Sequence, residues 1–353
     1  MSDMEETVVR IGTRKSQLAM IQTHSVVDAL REIHPKARIE IVTMDTIGDR
    51  VLDKALPEIG QTNLFTKDLE VALTDNKIDL IVHSLKDVPS TLPEGLAIAA
   101  IGKRAMTADV VLMNPKHRKS KLSDLPQNSV IGTSSLRRIA QLKRRFPHLK
   151  FENVRGNLNT RLKKLDESGI YDALVLAGAG VVRMGWQERI DQASELTPDE
   201  CLYAIGQGAL GIEIRKNDKK TFSLISAYTD FDSLVCNAAE RAFLRFLDKG
   251  CSVPIGVYTE FTENKLKITG AVFSLDGSKR VQYSDECTIS GLNAKDDCES
   301  NYESLSSILC PSEMCNSLIE AERLGKYVAE MILKNHGGEV LAEARQIMKA
   351  HQK

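Results

Sequence analysis

Short apolar runs alternate with helical periodicity over the first two thirds of the chain. Val8 to Gly12 predicts a strand ending in Gly-Thr, and Arg14-Lys15-Ser16-Gln17 leads into an amphipathic helix through Leu30. Ile39 to Thr43 predicts a second strand. Leu64-Phe65-Thr66-Lys67 opens another helix, with Thr66 as its cap and Asp68 and Glu70 in the first turn, where the helix dipole favours acids. Asp79 to Leu85 is almost continuously apolar, as expected of a strand buried on both faces. Val130-Ile131 runs through Gly132-Thr133-Ser134-Ser135 into a helix, and Phe151 to Val154 runs through Arg155-Gly156-Asn157 into another. Asp172 to Ala177 is a strand before Gly178-Ala179-Gly180. Strand, small polar residues, then helix, repeated, predicts open α/β sheets.

The texture changes near residue 231. One long helix, 232–250, precedes Cys251-Ser252-Val253-Pro254, then strands near 255–259, 265–275 and 281–289, with Asp276-Gly277 as a turn. Helices at 317–334 and 338–350 close the chain, so this part predicts a small α+β domain. Residues 44–63 read as a loop and a candidate lid over a site, and 291–316, polar and acidic, as a surface insertion. Thr197, Pro198, Asp199 and Glu200 predict a helix start. Gly206-Gln207-Gly208-Ala209-Leu210-Gly211 matches a dinucleotide fingerprint in letters, but helix-before and strand-after reverses the required order. In the other glycine-rich turn, Arg183 occupies the third glycine position. NAD binding is therefore not expected, and 206–211 reads as a hinge between domains.

A length of 353 residues predicts two or three domains, and a hydrophobic fraction of 42% is ample for their cores. The net charge of −1 makes every basic stretch local and argues against a nucleic-acid partner. MSDMEETVVR is acidic and predicts no secretory leader, and no apolar run approaches the ~20 residues that span a bilayer. Seven cysteines without CxxC spacing suggest a reducing, cytoplasmic setting and no structural metal.

Charge changes the picture at the helix starts. Arg14 and Lys15, Arg137 and Arg138, and Arg155 and Arg161 all gather where a dipole disfavours cations by roughly 0.3–1 kcal/mol each. A polyanionic ligand would offset that cost, and arginine captures carboxylates bidentately. Lys143-Arg144-Arg145 reads as a solvated basic face. Lys86 and Asp87 follow the buried strand at its carboxyl end, where ligands of open α/β sheets sit. Asp87 either caps the turn before Pro89 or stabilises a cation and shuttles protons. Cys251, alone, reads as a small buried hydrophobe.

Several long motifs, in order over nearly the whole chain, resemble the porphobilinogen deaminase (hydroxymethylbilane synthase) family. They are GTRKSQLA at 12–19, LFTKDLE at 64–70, HSLKDVPS at 83–90, GTSSLRR at 132–138 and RGNLNTRLKKL at 155–165. AGAGVVRMGW at 177–186, YAIGQGALGIEIR at 203–215 and AERAFLRFLDKGCSVPIG at 239–256 follow. The resemblance implies a transferase of tetrapyrrole and haem biosynthesis. Four porphobilinogen molecules would condense, with loss of ammonia, onto a dipyrromethane cofactor held by a thioether at Cys251. Hydrolysis would then release linear hydroxymethylbilane. It implies Asp87 as the catalytic carboxylate. Ser84, Lys86, Thr133, Ser134, Arg137, Arg138 and Gly178 would bind the cofactor. Arg14, Ser16, Gln22, Arg155, Arg161 and Arg183 would bind substrate and growing chain, and Leu64, Phe65 and Lys67 would close over the site. The implied fold is two doubly wound lobes of periplasmic-binding-protein type joined by two crossovers, plus a small α+β domain. The implied domains are 1–104 with 204–228, then 105–203, then 229–353. A cytoplasmic monomer with no membrane and no nucleic-acid partner completes the expectation. The competing readings are a two-lobed anion-binding receptor without catalysis and a regulator with such a sensing domain.

Overall fold

The computed structural model describes residues 8–46, 66–190, 194–247, 253–292 and 304–351. The first lobe begins β1 (Val8–Arg14), α1 (Gln17–Ile33), β2 (Arg38–Met44), α2 (Lys67–Thr74), β3 (Leu80–Ser84) and β4 (Leu96–Ile101). The second holds β5 (Asp109–Met113), β6 (Val130–Gly132), α3 (Leu136–Arg145), β7 (Lys150–Glu152), α4 (Leu158–Glu167), β8 (Ala173–Ala177) and α5 (Gly178–Arg183). The chain returns to the first lobe in β9 (Leu210–Arg215) and α6 (Lys219–Ile225). It ends in α7 (Phe231–Leu247), β10 (Ile255–Thr262), β11 (Lys265–Phe273), β12 (Arg280–Thr288), α8 (Cys315–Ile332) and α9 (Gly338–His351).

The first sheet runs β2-β1-β3-β9-β4 and the second β5-β8-β6-β7. Each is mostly parallel and takes in one antiparallel strand that arrives from the other lobe. That strand is β9, placed between β3 and β4, in the first lobe and β5, at the edge beside β8, in the second. This is the two-lobed, doubly wound architecture with two crossovers expected from the sequence. The crossing segments touch: Ala105 N donates to Gly208 O at 3.2 Å and Gly102 N to Leu210 O at 3.3 Å. Gly206 and Gly208 are left-handed there (φ +74° and +88°), and a Cβ on Gly208 would lie 2.6 Å from Ala105 O. Only glycine lets the two crossings approach so closely.

The third domain is the antiparallel sheet β10-β11-β12 with α7 and α8 packed together against it. Its core is continuous with that of the first lobe, from Leu69, Ile81 and Ile98 through Leu234 and Phe243 to Ile268 and Val328. Buried apolar area of this kind supplies the main driving force for folding.

Four local expectations are corrected. Residues 304–309 of the predicted surface insertion are built in: Ser306 and Ile308 are buried, Ile308 bridges Ile98 in parallel, and Leu309 N donates to Ile98 O at 2.7 Å. The polar letters there serve Glu322, fully buried, which accepts from Ser304 Oγ and the amides of Leu305 and Ser306. The helix expected after Thr197 is a single turn, Cys201 N donating to Thr197 O at 2.9 Å. Two residues later Tyr203 must extend to pair with Val257, which ends the turn. Thr66 stands at the N-cap of α2 without a side-chain capping bond. Cys315 is in a disulfide, whereas Cys201, Cys236, Cys287 and Cys310 are free.

Candidate active site

An open cleft lies between the lobes. Its walls include Gln22, Ser84 and Lys86 of the first lobe, Arg138, Arg161 and Arg183 of the second, and Gly208 of the return crossing. Leu18, Leu158 and Leu176 give it an apolar lining between the charges. The carboxyl ends of β3 and β8 open into it, which is where the sheet twist of an α/β lobe leaves a crevice.

On the first lobe, Ser16 caps α1 by accepting from Ala19 N at 3.4 Å, which fixes the turn that follows Arg14. Gln22, buried on α1, reaches across to Ser84 Oγ at 2.8 Å. The turn after β3, Leu85–Asp87, presents Lys86 and Asp87. Lys86 has exposed area yet lies in the cleft wall. Desolvation there lowers its ammonium to about 8, against the support of Asp87. Lys86 Nζ stands 3.5 Å from Gln207 Oε1. Asp87 is exposed at the same rim and also supports the charge of Arg161 from across the cleft.

On the second lobe the β6–α3 turn consumes its own hydroxyls. Thr133, buried, accepts from Ser135 N at 3.3 Å, and Ser134 Oγ donates to Val154 O at 2.9 Å. Arg137 and Arg138 share one carboxylate, Asp109, at 2.7 Å each. The anion that offsets these two cations is thus, at least in the fold itself, a protein group. Asp109 is 0% exposed, and the two guanidiniums hold its carboxyl far below the ordinary range against the cost of burial. Arg137 also donates to Leu202 O at 2.6 Å and lies behind the cleft wall. Arg138 lines the cleft, spends Nη1 on Val175 O at 2.9 Å and Nη2 on Asp109, and has a buried Nε without a partner.

Asn157 caps α4 by accepting from Thr160 N at 2.9 Å. Arg161 Nε donates to Gly156 O at 2.8 Å, while burial and the nearby Arg138 and Arg155 lower its guanidinium to about 10. Arg155 keeps a buried Nη1 with no partner. Gly178 starts α5 against Met106, whose Sδ would lie 2.1 Å from a Cβ at that position. Arg183, at the end of α5, donates to Gly208 O at 2.8 Å, and Asn159 reaches Gln17 at 2.6 Å, so both tie one lobe to the other.

Cys251, Leu64 and Phe65 lie outside the described residues. Lys67 is exposed at the start of α2. Two buried site residues escaped sequence reasoning. Asp109 was masked as the first residue of an apolar strand, and Gln207 as the middle of a glycine-rich turn. The excess of arginines at one helix start, which needs an internal counter-ion as well as a ligand, was the available signal for Asp109.

Cations from both lobes thus line one open cleft, with a buried Arg138 Nε that has no partner and the exposed Asp87 beside Lys86. The comparisons with known proteins give the chain a family. Residues 9–223 match the model of the porphobilinogen deaminase dipyromethane cofactor binding domain, and 234–334 match the porphobilinogen deaminase C-terminal domain. Porphobilinogen deaminase of Nostoc sp. is 49% identical over 288 residues, 82% of this chain and 87% of that protein. That of Dictyostelium discoideum is 45% identical over 344 residues, 95% and 96% of the two chains. Among solved structures, the periplasmic aliphatic sulphonate binding protein SsuA from Escherichia coli superposes with a TM-score of 0.38 at 16% identity, covering 68% of this chain and 70% of that one. That likeness is too low to argue from.

The chain belongs to the porphobilinogen deaminase family. Its activity is that of hydroxymethylbilane synthase, a transferase of tetrapyrrole biosynthesis that uses a dipyrromethane cofactor and takes porphobilinogen as substrate. No helix among the described residues is long and apolar enough to cross a membrane.

Proposed function

We propose that in this chain the condensation takes place in the cleft between the lobes, with Asp87 as its catalytic carboxylate and Cys251 as the point of cofactor attachment. The convergence of Lys86, Arg138, Arg161 and Arg183 from two lobes on one open cleft, with Asp87 at its rim, carries this reading. The donor set fits a dipyrromethane: its acetate and propionate groups are anions, and Arg138 Nε and Arg155 Nη1 are buried donors in need of acceptors. Bound, that group supplies the pyrrole carbon that is extended.

Lys86, Ser84, Thr133, Ser134, Arg138 and Gly178 hold the cofactor side of the cleft, with Arg137 bracing Arg138 from behind. Arg14, Ser16, Gln22, Arg155, Arg161 and Arg183 hold substrate and growing chain. Arginine serves because its planar fork fits a carboxylate at two points. Asp87 would stabilise positive charge on a pyrrole nitrogen and take up the proton lost from the attacking carbon. The reading carries with it a cytoplasmic monomer with no nucleic-acid partner. The net charge of −1 supports the last point, and light scattering tests the monomer.

Intact mass tests the assignment. The purified protein should be heavier than its sequence by two porphobilinogen units less two ammonias, and Cys251→Ala should have the bare mass. Asp87→Asn should keep the added mass and lose turnover by roughly 10²–10³ or more. A bare mass in wild type that no reconstitution changes would favour an anion-binding receptor without catalysis. Full turnover in Asp87→Asn would remove Asp87 from the mechanism.

A further inference from the structure

Asp109 is not among the residues that line the cleft, yet its buried carboxylate is heavily engaged. It opens β5, directly after the first crossing, and pairs in register with Ala177, the residue before α5. Its two oxygens accept from Arg137 Nη1 and Arg138 Nη2 at 2.7 Å, and from Gln207 Nε2 at 2.9 Å. The thiol of Cys201 stands at 3.6 Å. Gln207 belongs to the second crossing, donates also to Thr107 O at 2.7 Å, and puts its own Oε1 beside Lys86 Nζ. One carboxylate therefore joins both crossings, α3 and the turn that bears Lys86 and Asp87.

The two arginines on it are not equivalent. Arg137 spends its Nη1 on Asp109, Cys201 and Leu202 O and is not among the residues that line the cleft, whereas Arg138 reaches the wall and keeps its Nε unpaired. Both are 7% exposed, so neither can find water in place of a lost partner. We propose that Asp109 is a positioning residue for the reaction: it fixes Arg138 so that its free edge faces a ligand carboxylate, and through Gln207 it holds Lys86 in register with the second lobe. The proposal rests on the reading that the cleft binds the carboxylates of cofactor and substrate.

The charge relations bear on the test. Desolvation lowers Lys86, Arg138 and Arg137 add to that, and Asp87 and Asp109 oppose it. Removing the charge of Asp109 should move the titration of Lys86 further down. Asp109→Asn keeps shape and removes charge, but it leaves two buried guanidiniums facing one amide and can unfold the lobe. Asp109→Asn/Arg137→Met removes the anion together with the brace, so the net buried charge returns to that of the wild type while Arg138 still lacks its carboxylate.

Wild type and both variants are compared by thermal unfolding, by intact mass, by steady-state kinetics on the fraction that carries the cofactor mass, and by the pH dependence of Lys86 acetylation mapped on peptides. Asp109→Asn should lower kcat/KM by about tenfold or more and move Lys86 down by about half a unit or more. The double variant should regain stability and most of the Lys86 titration, with kcat/KM still about tenfold down. Activity that returns together with stability in the double variant would overturn the proposal, because Asp109 would then be structural only. So would an unshifted Lys86 and wild-type kcat/KM in folded Asp109→Asn. Cofactor mass and turnover in the wild type check the underlying reading separately, since they do not depend on either variant.

Discussion

Arg104→Met should be among the most damaging single substitutions outside the cleft. Arg104, on the first crossing, grips Glu240 of α7 at two points, 2.7 and 3.0 Å. Its Nε donates to Gln207 O at 2.8 Å, and its guanidinium lies 5.0 Å from the centre of the Tyr203 ring. Burial opposes its charge, and Glu240 outweighs burial so that its pKa is raised. Glu240 is 0% exposed and also accepts from Gly206 N at 2.8 Å and Thr259 Oγ1 at 2.7 Å. One ion pair thus ties the first crossing, the second crossing and the third domain. Removing the arginine leaves a buried carboxylate uncompensated, a loss of about 3–5 kcal/mol. At about 2 °C per kcal/mol for a long chain, the transition should fall by roughly 6–10 °C. Arg104→Met/Glu240→Gln should recover much of that, because glutamine keeps an acceptor for Gly206 N without a stranded charge. Scanning calorimetry of the two single variants and the double variant gives the coupling between the residues directly. A fall under about 2 °C for Arg104→Met, or a double variant that loses the sum of the two singles, would refute this account of the junction.

The cleft gives three further expectations. Arg161→Lys should raise KM about tenfold with little change in melting temperature, because Gly156 O holds only its Nε and the terminal fork is replaced by a point charge. Lys86, with its ammonium lowered to about 8 from an ordinary 10.5, should make substrate retention weaken as pH rises through about 8. The sign for stability is opposite: between about 8 and 10.5 the unfolded chain binds the proton more tightly, so folding should gain as pH rises through that window. Retention that strengthens above pH 8 would exclude a charged Lys86 from binding. Gly178→Ala should destabilise by about 1–3 kcal/mol, because its Cβ would meet Met106 Sδ at 2.1 Å and Ala108 O at 3.1 Å. Calorimetry showing no change would mean that Met106 is free to move aside.

Much of this protein was determined by the sequence alone. Period and turn residues placed most strands and helices, since apolar spacing and backbone preferences act over a few neighbours. The position of Lys86 and Asp87 followed from where a buried strand ends. The gathering of Arg137, Arg138, Arg155 and Arg161 at helix starts led to the expectation of an anion, because local dipoles make such a pattern unfavourable without a partner. What needed the tertiary structure was long-range pairing. Asp109 and Arg137 are 28 residues apart, and nothing in either neighbourhood says that one carboxylate will neutralise two arginines. Polar residues 304–309 looked like surface until Glu322 and Ile98 gave them partners inside. Thr197 starts a helix by every local rule, yet the pairing of Tyr203 with Val257 stops it after one turn. The free energy that decided these cases comes from burial and from charge pairing across the fold, which no window of adjacent residues contains.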